Sequence, residues 1–288
     1  MKNILITGSG SYIGSSFETY LKRFGDAYRV TTLDMQSGNW EKFDFSGYDT
    51  VFHVAGIAHA DLKNADDLYF RVNRDLAVKT AATAKAAGVK QFILMSTMKV
   101  YPSPTLNKPI EITINTAPAP DSAYGLSKLQ AEKSILALED KSFRAVILRP
   151  PMIYGPGCKG NYSKLSEYGQ KLSFFPDTDN RRSMLYIENL CEFVRLMIEN
   201  NEHGIFFPQN GEYVRTSDMV ARIAAFYGRE IRFVKSGVLL KWGSLFIKKL
   251  NNAFSTYTYD QSMSKYRQNY RVASLAESIQ ISEGGART

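Results

Sequence analysis

Short apolar runs rich in β-branched residues alternate with longer helical patterns along the first half of the chain. The runs predict strands at Ile4–Thr7, Tyr28–Leu33, Thr50–Val54, Gln91–Ser96 and Ala145–Leu148. The patterns between them predict helices at Tyr12–Phe24, Asp66–Ala87 and Ser122–Glu139. The second helix should end at Gly88, where left-handed backbone costs least. Buried strands that alternate with helices form a parallel sheet covered on both faces, so the sequence predicts an α/β, doubly wound fold.

Composition narrows the class of protein. At 288 residues the chain is long enough for one large core, or for a core with a smaller second lobe. Its two cysteines share no metal or redox spacing and its three histidines lack ligand spacing, so we expect a reducing compartment and no metal site. A strand begins at Lys2 with no signal peptide before it, and no apolar run approaches the ~18 residues that span a bilayer. We therefore expect a cytoplasmic protein.

The net charge of +8 limits the kind of partner. A basic balance suits nucleic acid, an anionic membrane surface or an anionic small molecule. Lysine and arginine are spread along most of the chain rather than grouped in one block with interleaved aromatic residues. We therefore expect no nucleic-acid partner.

A glycine-rich turn follows the first strand and precedes the first helix, where residues 7–14 read Thr-Gly-Ser-Gly-Ser-Tyr-Ile-Gly. Glycines let the chain turn tightly and let backbone N–H groups approach a pyrophosphate at a helix N-terminus. The alternative is a tight turn with no ligand, but the placement between strand and helix favours a dinucleotide-binding, Rossmann-type sheet. The predicted cofactor contacts in this turn are Gly8, Gly10, Ser11, Tyr12, Ile13 and Gly14.

An acidic residue, Asp34, ends the second strand twenty residues after Gly14. A carboxylate in this position accepts hydrogen bonds from the adenosine ribose hydroxyls and repels a 2′-phosphate. No arginine follows immediately to receive such a phosphate. The sequence therefore predicts NAD rather than NADP, the alternative being an aspartate that caps a turn.

Three residues are predicted to carry the chemistry. The fourth strand is followed by Thr97, and a later helix carries Tyr124 and Lys128, four residues apart and therefore on one helical face. Of the 17 tyrosines, only Tyr124 has a lysine at this spacing. A phenol with an ordinary pKa of ~10 is a poor base at neutral pH, but a nearby ammonium favours the phenolate. We expect Thr97 to share the substrate hydroxyl's hydrogen bond with Tyr124, the alternative being a surface Tyr–Lys pair.

Together these motifs resemble the extended short-chain dehydrogenase/reductase family, the NAD-dependent nucleotide-sugar epimerases and dehydratases. The residues that carry the resemblance are Thr7-Gly8 with Gly14, Asp34, Asn73, Thr97-Met98-Lys99-Val100-Tyr101 and Tyr124-x-x-x-Lys128. The resemblance covers essentially the whole chain, because two later segments also fit. Leu148–Gly157 resembles the segment beside the nicotinamide, and Asn180–Ile187 resembles the segment whose arginine holds the substrate phosphates.

This resemblance implies NAD as cofactor, a UDP-sugar-like substrate and a homodimer formed through a four-helix contact that includes the Tyr124 helix. It implies substrate contacts from Thr97, Asn161 and Arg182, and cofactor contacts from Tyr124 and Lys128. The further cofactor contacts it implies are Asp44, Phe45, Val54, Ala55, Gly56, Asn73 and Pro150.

The sequence departs from the family pattern at two places. Ser11 stands where the middle glycine of the phosphate turn is usual. Sugar-nucleotide dehydratases of the family follow the catalytic threonine with Asp-Glu, the acid and base of water removal, whereas Met98-Lys99 follow Thr97 here. The resemblance therefore argues against a dehydratase and leaves a 4-epimerase, which we favour, a 4-ketoreductase, or a non-catalytic dinucleotide sensor.

Beyond Pro150 a stretch broken by proline and glycine precedes helical patterns at Ser163–Lys171, Asn189–Glu199 and Thr216–Tyr227. We expect a smaller α/β substrate lobe rather than an independent domain, because no linker precedes it. The predicted dinucleotide-binding domain is 1–153, with 183–207 returning to it. The predicted substrate lobe is 154–182 and 208–288.

One later segment, Val238–Phe254, suggests membrane contact. Leu239, Trp242, Phe246 and Leu250 fall at helical spacing, with lysines largely off that stripe. A helix with an apolar face beside lysines can lie on a membrane surface of anionic lipid. The alternative is that its apolar side chains pack onto the substrate lobe and its lysines stay in water.

Overall fold

The computed structural model describes residues 1–58, 65–235, 251 and 253–285. The chain forms two compact units. The first unit comprises Met1–Pro102, Ala117–Pro150 and Leu190–Pro208, and the second comprises Ser103–Thr116, Pro151–Asn189 and Gln209–Thr288.

The strands in chain order are β1 (Lys2–Thr7), β2 (Tyr28–Leu33), β3 (Thr50–His53), β4 (Gln91–Met95), β5 (Ile110–Ile112), β6 (Arg144–Leu148), β7 (Met152–Tyr154), β8 (Phe174–Asp177), β9 (Met184–Tyr186), β10 (Gly204–Phe206), β11 (Arg232–Lys235) and β12 (Tyr257–Tyr259). The α-helices are α1 (Tyr12–Leu21), α2 (Ala65–Tyr69), α3 (Ala77–Ala86), α4 (Ala123–Leu136), α5 (Asn161–Lys171), α6 (Ile187–Glu199), α7 (Thr216–Phe226) and α8 (Leu275–Ser282). A π-helical stretch, Phe70–Leu76, joins α2 to α3.

The first unit is built on a six-stranded sheet in the order β10-β6-β4-β3-β1-β2, and every neighbouring pair is parallel. The order reverses between β1 and β3, which is the place where such sheets bind ligands. Strands β3 and β4 are buried along their whole length, as expected of strands covered on both faces. The predicted α/β, doubly wound fold is confirmed.

The five predicted strands of the first half are present with ends shifted by at most two residues. Gly88 has φ +83°, in the left-handed region expected for the residue that ends α3. The first helix is shorter than predicted, because at Leu21 it gives way to a 3₁₀ segment, Lys22–Ala27, that contains Gly25 at φ +54°.

The second unit pairs short strands two by two, β5 with β12, β7 with β9 and β8 with β11, all in parallel. Ser103–Thr116 belongs to this unit, because β5 pairs with β12. The predicted division had placed this stretch in the first domain. In the part of the chain that the structure describes, no helix is long and apolar enough to cross a membrane.

Gln91, buried at the start of β4, ties the sheet to the end of α6. Its side-chain N–H₂ donates to the carbonyls of Met197 (2.9 Å) and Glu202 (3.0 Å), and its oxygen accepts from the Thr50 hydroxyl (3.1 Å). Replacing it by an apolar residue of similar size leaves these groups without a partner in a dry interior.

We predict that Gln91→Leu lowers the free energy of unfolding by roughly 1–3 kcal/mol, the cost of unsatisfied buried polar groups. Urea denaturation followed by circular dichroism measures the change. Gln36→Leu, on the exposed loop after β2, is the control and should stay within about 0.5 kcal/mol. Equal stability of the two variants would contradict this role for Gln91.

Candidate active site

The phosphate turn begins where β1 ends and comes very close to the chain that leaves β3. The Thr7 carbonyl accepts the N–H groups of Val54 (3.0 Å) and Ala55 (2.9 Å). Gly8 has φ +117°, and a Cβ there would lie 2.8 Å from the Ala55 nitrogen. Only glycine fits at this position, so Gly8, Val54 and Ala55 form one edge of the predicted cofactor site.

Ser11 replaces the usual middle glycine without disturbing the turn. It is the N-cap of α1, with extended backbone, and its hydroxyl oxygen accepts the N–H of Gly14 (3.2 Å). A Cβ at Gly14 would lie 2.7 Å from that oxygen, so glycine is needed there. Gly10 has φ +73°, and a Cβ there would meet no atom within 4 Å. Tyr12 and Ile13, the first two residues of α1, are both half-buried. This open, glycine-lined helix N-terminus fits a dinucleotide pyrophosphate.

The predicted ribose acid, Asp34, lies at the end of β2 with an exposed side chain. One carboxylate oxygen accepts the N–H of Gln36 (2.9 Å), so it also caps the following turn. Asp44 is exposed too, and both of its oxygens accept from Ser46 (2.8 Å each), which lowers the pKa of the carboxyl. Phe45 beside it is buried in the core.

Thr97, Tyr124 and Lys128 meet where β4 ends against the first turns of α4. Ser122 caps that helix by accepting the N–H of Gly125 (3.2 Å), so α4 begins at Ala123 and Tyr124 lies in its first turn. The Thr97 and Tyr124 hydroxyls share a hydrogen bond. The Lys128 ammonium donates to the Met95 carbonyl (2.9 Å) at the end of β4. The structure therefore brings all three predicted residues into one cluster.

Burial shifts the pKa values of Tyr124 and Lys128 in opposite directions. Burial is the largest effect on Tyr124 and raises its pKa. The hydrogen bond with Thr97 lowers this pKa, and the nearby Tyr69 raises it. Burial lowers the pKa of Lys128 to about 8, although the charge of Glu132 raises it. A phenol above its ordinary pKa needs a nearby positive charge to act as a base near neutral pH, and Lys128, one helical turn further along α4, is the residue predicted to supply it.

Asn73 and Gly56 complete the surroundings of Lys128. A Cβ at Gly56 would lie 3.0 Å from the Asn73 Oδ1 and 3.1 Å from the Lys128 Nζ, so this glycine leaves the ammonium room. Asn73, buried in the π-helical stretch, accepts the N–H of Ile57 (2.9 Å) and donates to its carbonyl (3.0 Å). It thereby holds the loop after β3 in place.

Another glycine, Gly125, seats the Tyr124 helix against the turn after Thr97. A Cβ at this position would overlap the Lys99 carbonyl and lie 2.9 Å from the Pro120 Cβ. That turn, Met98–Val100, is capped by Thr97, and its Met98 N–H donates to the carbonyl of Pro150 (2.9 Å), two residues beyond β6. The predicted Pro150 therefore lies beside the Thr97 segment.

Two buried features of this site were not predicted from the sequence. His53, at the end of β3, shares a 2.7 Å hydrogen bond through Nδ1 with the Thr7 hydroxyl, and burial with the charge of Lys128 lowers its pKa to about 3. Glu132 and Arg149 form a buried ion pair (2.6 Å) beside the trio. Glu132 lies four residues beyond Lys128, a spacing that would have indicated the same helical face.

Asn161 and Arg182 belong to the second unit. Asn161 is exposed at the start of α5. Arg182, half-buried, donates to the Ser255 carbonyl (3.3 Å), and burial lowers its pKa to about 10. Among the described residues no group of three or more His, Cys, Asp or Glu side chains is arranged to hold a metal ion.

Comparison with known proteins identifies the family. Residues 4–207 match the NAD dependent epimerase/dehydratase family. The chain belongs to this family. A UDP-glucose 4-epimerase of Vibrio cholerae is 33% identical over 248 residues, which are 77% of this chain and 75% of that protein.

Two further proteins extend the comparison. An Escherichia coli O157:H7 N-acetyl-alpha-D-glucosaminyl-diphospho-ditrans,octacis-undecaprenol 4-epimerase is 29% identical over 70% of this chain and 65% of its own length. The crystal structure of a Bacillus cereus UDP-glucuronic acid 4-epimerase in complex with NAD superposes with a TM-score of 0.74, covering 98% of this chain and 97% of that one at 19% identity. The predicted family, its NAD dependence and the class of enzyme are confirmed.

We predict that Tyr124→Phe reduces turnover by ~10²–10⁴, the range of general acid–base groups, because a phenyl ring transfers no proton. The variant should still bind NAD, and calorimetric titration with NAD checks this. Tyr48→Phe, at a half-buried position that packs against the core beside Phe43, is the matched control. Near-normal turnover of Tyr124→Phe would remove this residue from the mechanism.

We predict that the protein binds NAD(H) more tightly than NADP(H). Asp34→Ala should reduce the ratio of the two binding constants roughly tenfold, because it removes a charge that repels the 2′-phosphate. Binding constants for both cofactors measure the effect. Asp26→Ala, also exposed, should leave the ratio unchanged. Tighter binding of NADPH than NADH by the unmodified protein would contradict the role given to Asp34.

Proposed function

We propose that this chain is a nucleotide-sugar 4-epimerase that acts on a UDP-hexose-type substrate, in the cytoplasm, for the synthesis of surface polysaccharide precursors. The observation that carries the proposal is the cluster of Thr97, Tyr124 and Lys128 followed by Met98 and Lys99 instead of an acid–base pair. This arrangement moves a proton on a sugar hydroxyl but has no acid and base there for removing water.

The chain's own residues then have distinct tasks. Tyr124, supported by the Lys128 ammonium, takes the proton from the sugar O4, and Thr97 holds that oxygen by a hydrogen bond. NAD, which the glycine-rich turn of residues 7–14 and Asp34 would hold, would supply the acceptor for the C4 hydride and its later donor. The 4-keto sugar rotates between the two transfers, so that hydride would return to the other face of C4, and Tyr124 gives the proton back to O4. The site therefore needs no net oxidant or reductant.

Similarity to relatives supports the choice of substrate. The Vibrio cholerae and Escherichia coli relatives are both named as 4-epimerases. The first acts on UDP-glucose, and the second on N-acetylglucosamine joined through a diphosphate to undecaprenol. A hexose joined to a diphosphate is common to both. Arg182 is the residue we assign to the diphosphate, because a half-buried guanidinium forms stronger bonds to phosphate oxygens than one in open water. Asn161 is assigned to the same substrate.

A 4-ketoreductase is the alternative, since the same trio would supply the proton while NAD(P)H reduces a 4-keto sugar. A non-catalytic dinucleotide sensor is disfavoured, because a sensor does not need a proton donor supported by a buried ammonium.

We predict that incubation with UDP-glucose or UDP-N-acetylglucosamine, without added reductant, yields the 4-epimer, because hydride is returned within one turnover. Product sugars are separated by chromatography, with Tyr124→Phe as the inactive control. No product from any UDP-hexose, together with NADH consumption on a 4-keto sugar nucleotide, would replace the epimerase by the reductase.

We further propose that the protein is a homodimer that uses the α4 surface. Leu126, on this helix, keeps 39% of its surface exposed and could take part in such a contact. The proposed membrane contact falls on Val238–Phe254, of which only Asn251, Ala253 and Phe254 lie within the described residues. Phe254 is buried against Phe175 and Val220. The contact itself stays a prediction, as do the dinucleotide and substrate roles of the two predicted domains.

A further inference from the structure

Behind the trio lies a buried polar cluster that the proposed chemistry does not use. It consists of Ser96, Tyr101, Glu132 and Arg149, and we call it the Glu132 cluster. Each of the four is no more than 5% exposed. All of them belong to the first unit, as does the trio.

The members of the Glu132 cluster are closely hydrogen-bonded. The Arg149 Nε donates to both carboxylate oxygens of Glu132 (3.1 Å each), and Nη2 donates to Oε2 (2.6 Å). The Arg149 Nη1 donates to the Tyr101 hydroxyl (2.9 Å). The Ser96 hydroxyl also donates to Oε1 of Glu132. The carboxylate is thus held at both oxygens, by a strand-end hydroxyl and by a guanidinium.

This cluster is joined to two members of the trio. Glu132 lies four residues beyond Lys128 on α4, so it faces the same side of the helix. Ser96 immediately precedes Thr97, and its N–H donates to the Leu148 carbonyl (2.8 Å) at the end of β6. Thr97 is therefore held on one side through Ser96 and on the other through the Met98–Pro150 hydrogen bond.

Stability alone does not account for a charged pair in this place. Taking two charges out of water costs several kcal/mol per ion, and apolar residues of similar volume often stabilise a core as well or better. A buried ion pair next to reacting groups instead fixes geometry and charge, which are the properties a proton-transfer site requires.

We propose that Glu132 is a positioning residue of the proton-transfer site: held by Arg149, it fixes Thr97 through Ser96 and supports the charge of Lys128. The proposal rests on the Tyr124 chemistry proposed above, which the epimerase and the ketoreductase share. Its test is therefore made first on the titration of Tyr124, which needs no sugar substrate.

The sign of the electrostatic effect follows from the charges. Glu132 raises the pKa of Lys128, and the same carboxylate is paired with the Arg149 guanidinium at 2.6 Å. His53 also faces Lys128, but its pKa near 3 keeps it neutral over the working range. Tyr69 raises the pKa of Tyr124, and Lys99 lies in the turn after Thr97. None of these last three residues is changed in the experiment.

The experiment compares Glu132→Gln with Arg149→Met in the NAD-loaded protein. Removing the negative charge makes the site more positive, so protons bind less tightly and Tyr124 should titrate at lower pH, by on the order of one unit. Removing the positive charge should move the titration to higher pH by a similar amount. Tyrosinate absorbance, taken as the difference from the same protein carrying Tyr124→Phe, follows this one residue among the tyrosines. Opposite shifts support the proposal, and shifts in one direction or none overturn it.

The matched control is Glu192→Gln. Glu192 also pairs with an arginine, Arg195 (2.7 Å), and accepts from a tyrosine hydroxyl, that of Tyr20 (3.0 Å), in the same unit. Its partners lie on α1 and α6 rather than at the Thr97 turn or on α4, so the titration of Tyr124 should stay in place.

A double variant, Glu132→Met with Arg149→Met, decides the matter if either single variant fails to fold. It removes both charges, so the titration should return close to that of the unmodified protein, while the lost Ser96–Glu132 hydrogen bond frees Thr97. We expect kcat to fall at least about tenfold, because small misplacements of reacting groups are that costly, with NAD affinity and KM within about twofold. A kcat that falls by less than this in a folded double variant overturns the positioning role. Absence of turnover in the unmodified protein contradicts only the proposed function, since the titration still tests Glu132.

Discussion

The site depends on backbone hydrogen bonds that continue past the ends of the parallel strands. Buried N–H groups must be paired, and at the carboxyl edge of this sheet the pairing runs on into the loops. Gly8 and Ser9 donate to Leu33, the segment after β3 donates to Thr7, and the Thr97 segment is tied to β6 and Pro150. These bonds hold the phosphate turn, the Gly56 loop and the Thr97 turn at fixed positions along one edge, where α4 adds Tyr124 and Lys128.

Much of this edge could be predicted from sequence, because its signals are local. The buried strands of the first half are short β-branched runs, Gly88 marks a helix end, and the Tyr124–Lys128 spacing is fixed by one helical turn. The short strands of the second unit escaped prediction, since each has only three or four residues and pairs with a distant segment. Pairing of β5 with β12 joins residues roughly 150 positions apart, and no local pattern specifies it.

The Glu132–Arg149 pair and His53 were missed for a related reason. Glutamate and arginine side chains are mostly exposed in proteins, so a sequence gives no reason to expect these two to be buried. The order of the strands in the sheet brings Glu132 and Arg149 together in the interior. In the sequence His53 is simply the last residue of a buried strand. Its hydrogen bond to Thr7 forms because β1 and β3 are parallel neighbours in which these two residues lie side by side. Buried polar pairs of this kind are long-range properties of the fold.

Gly125 has a consequence for how this scaffold can diversify. With the Tyr124 helix seated so closely on the Lys99 carbonyl, any side chain at position 125 would push α4 away from the turn Met98–Val100. A protein engineer who varies this part of the first unit therefore has to leave Gly125 as it is. Even a single added methyl group at this position meets backbone, so the smallest side chain sets how α4 lies against the Thr97 turn.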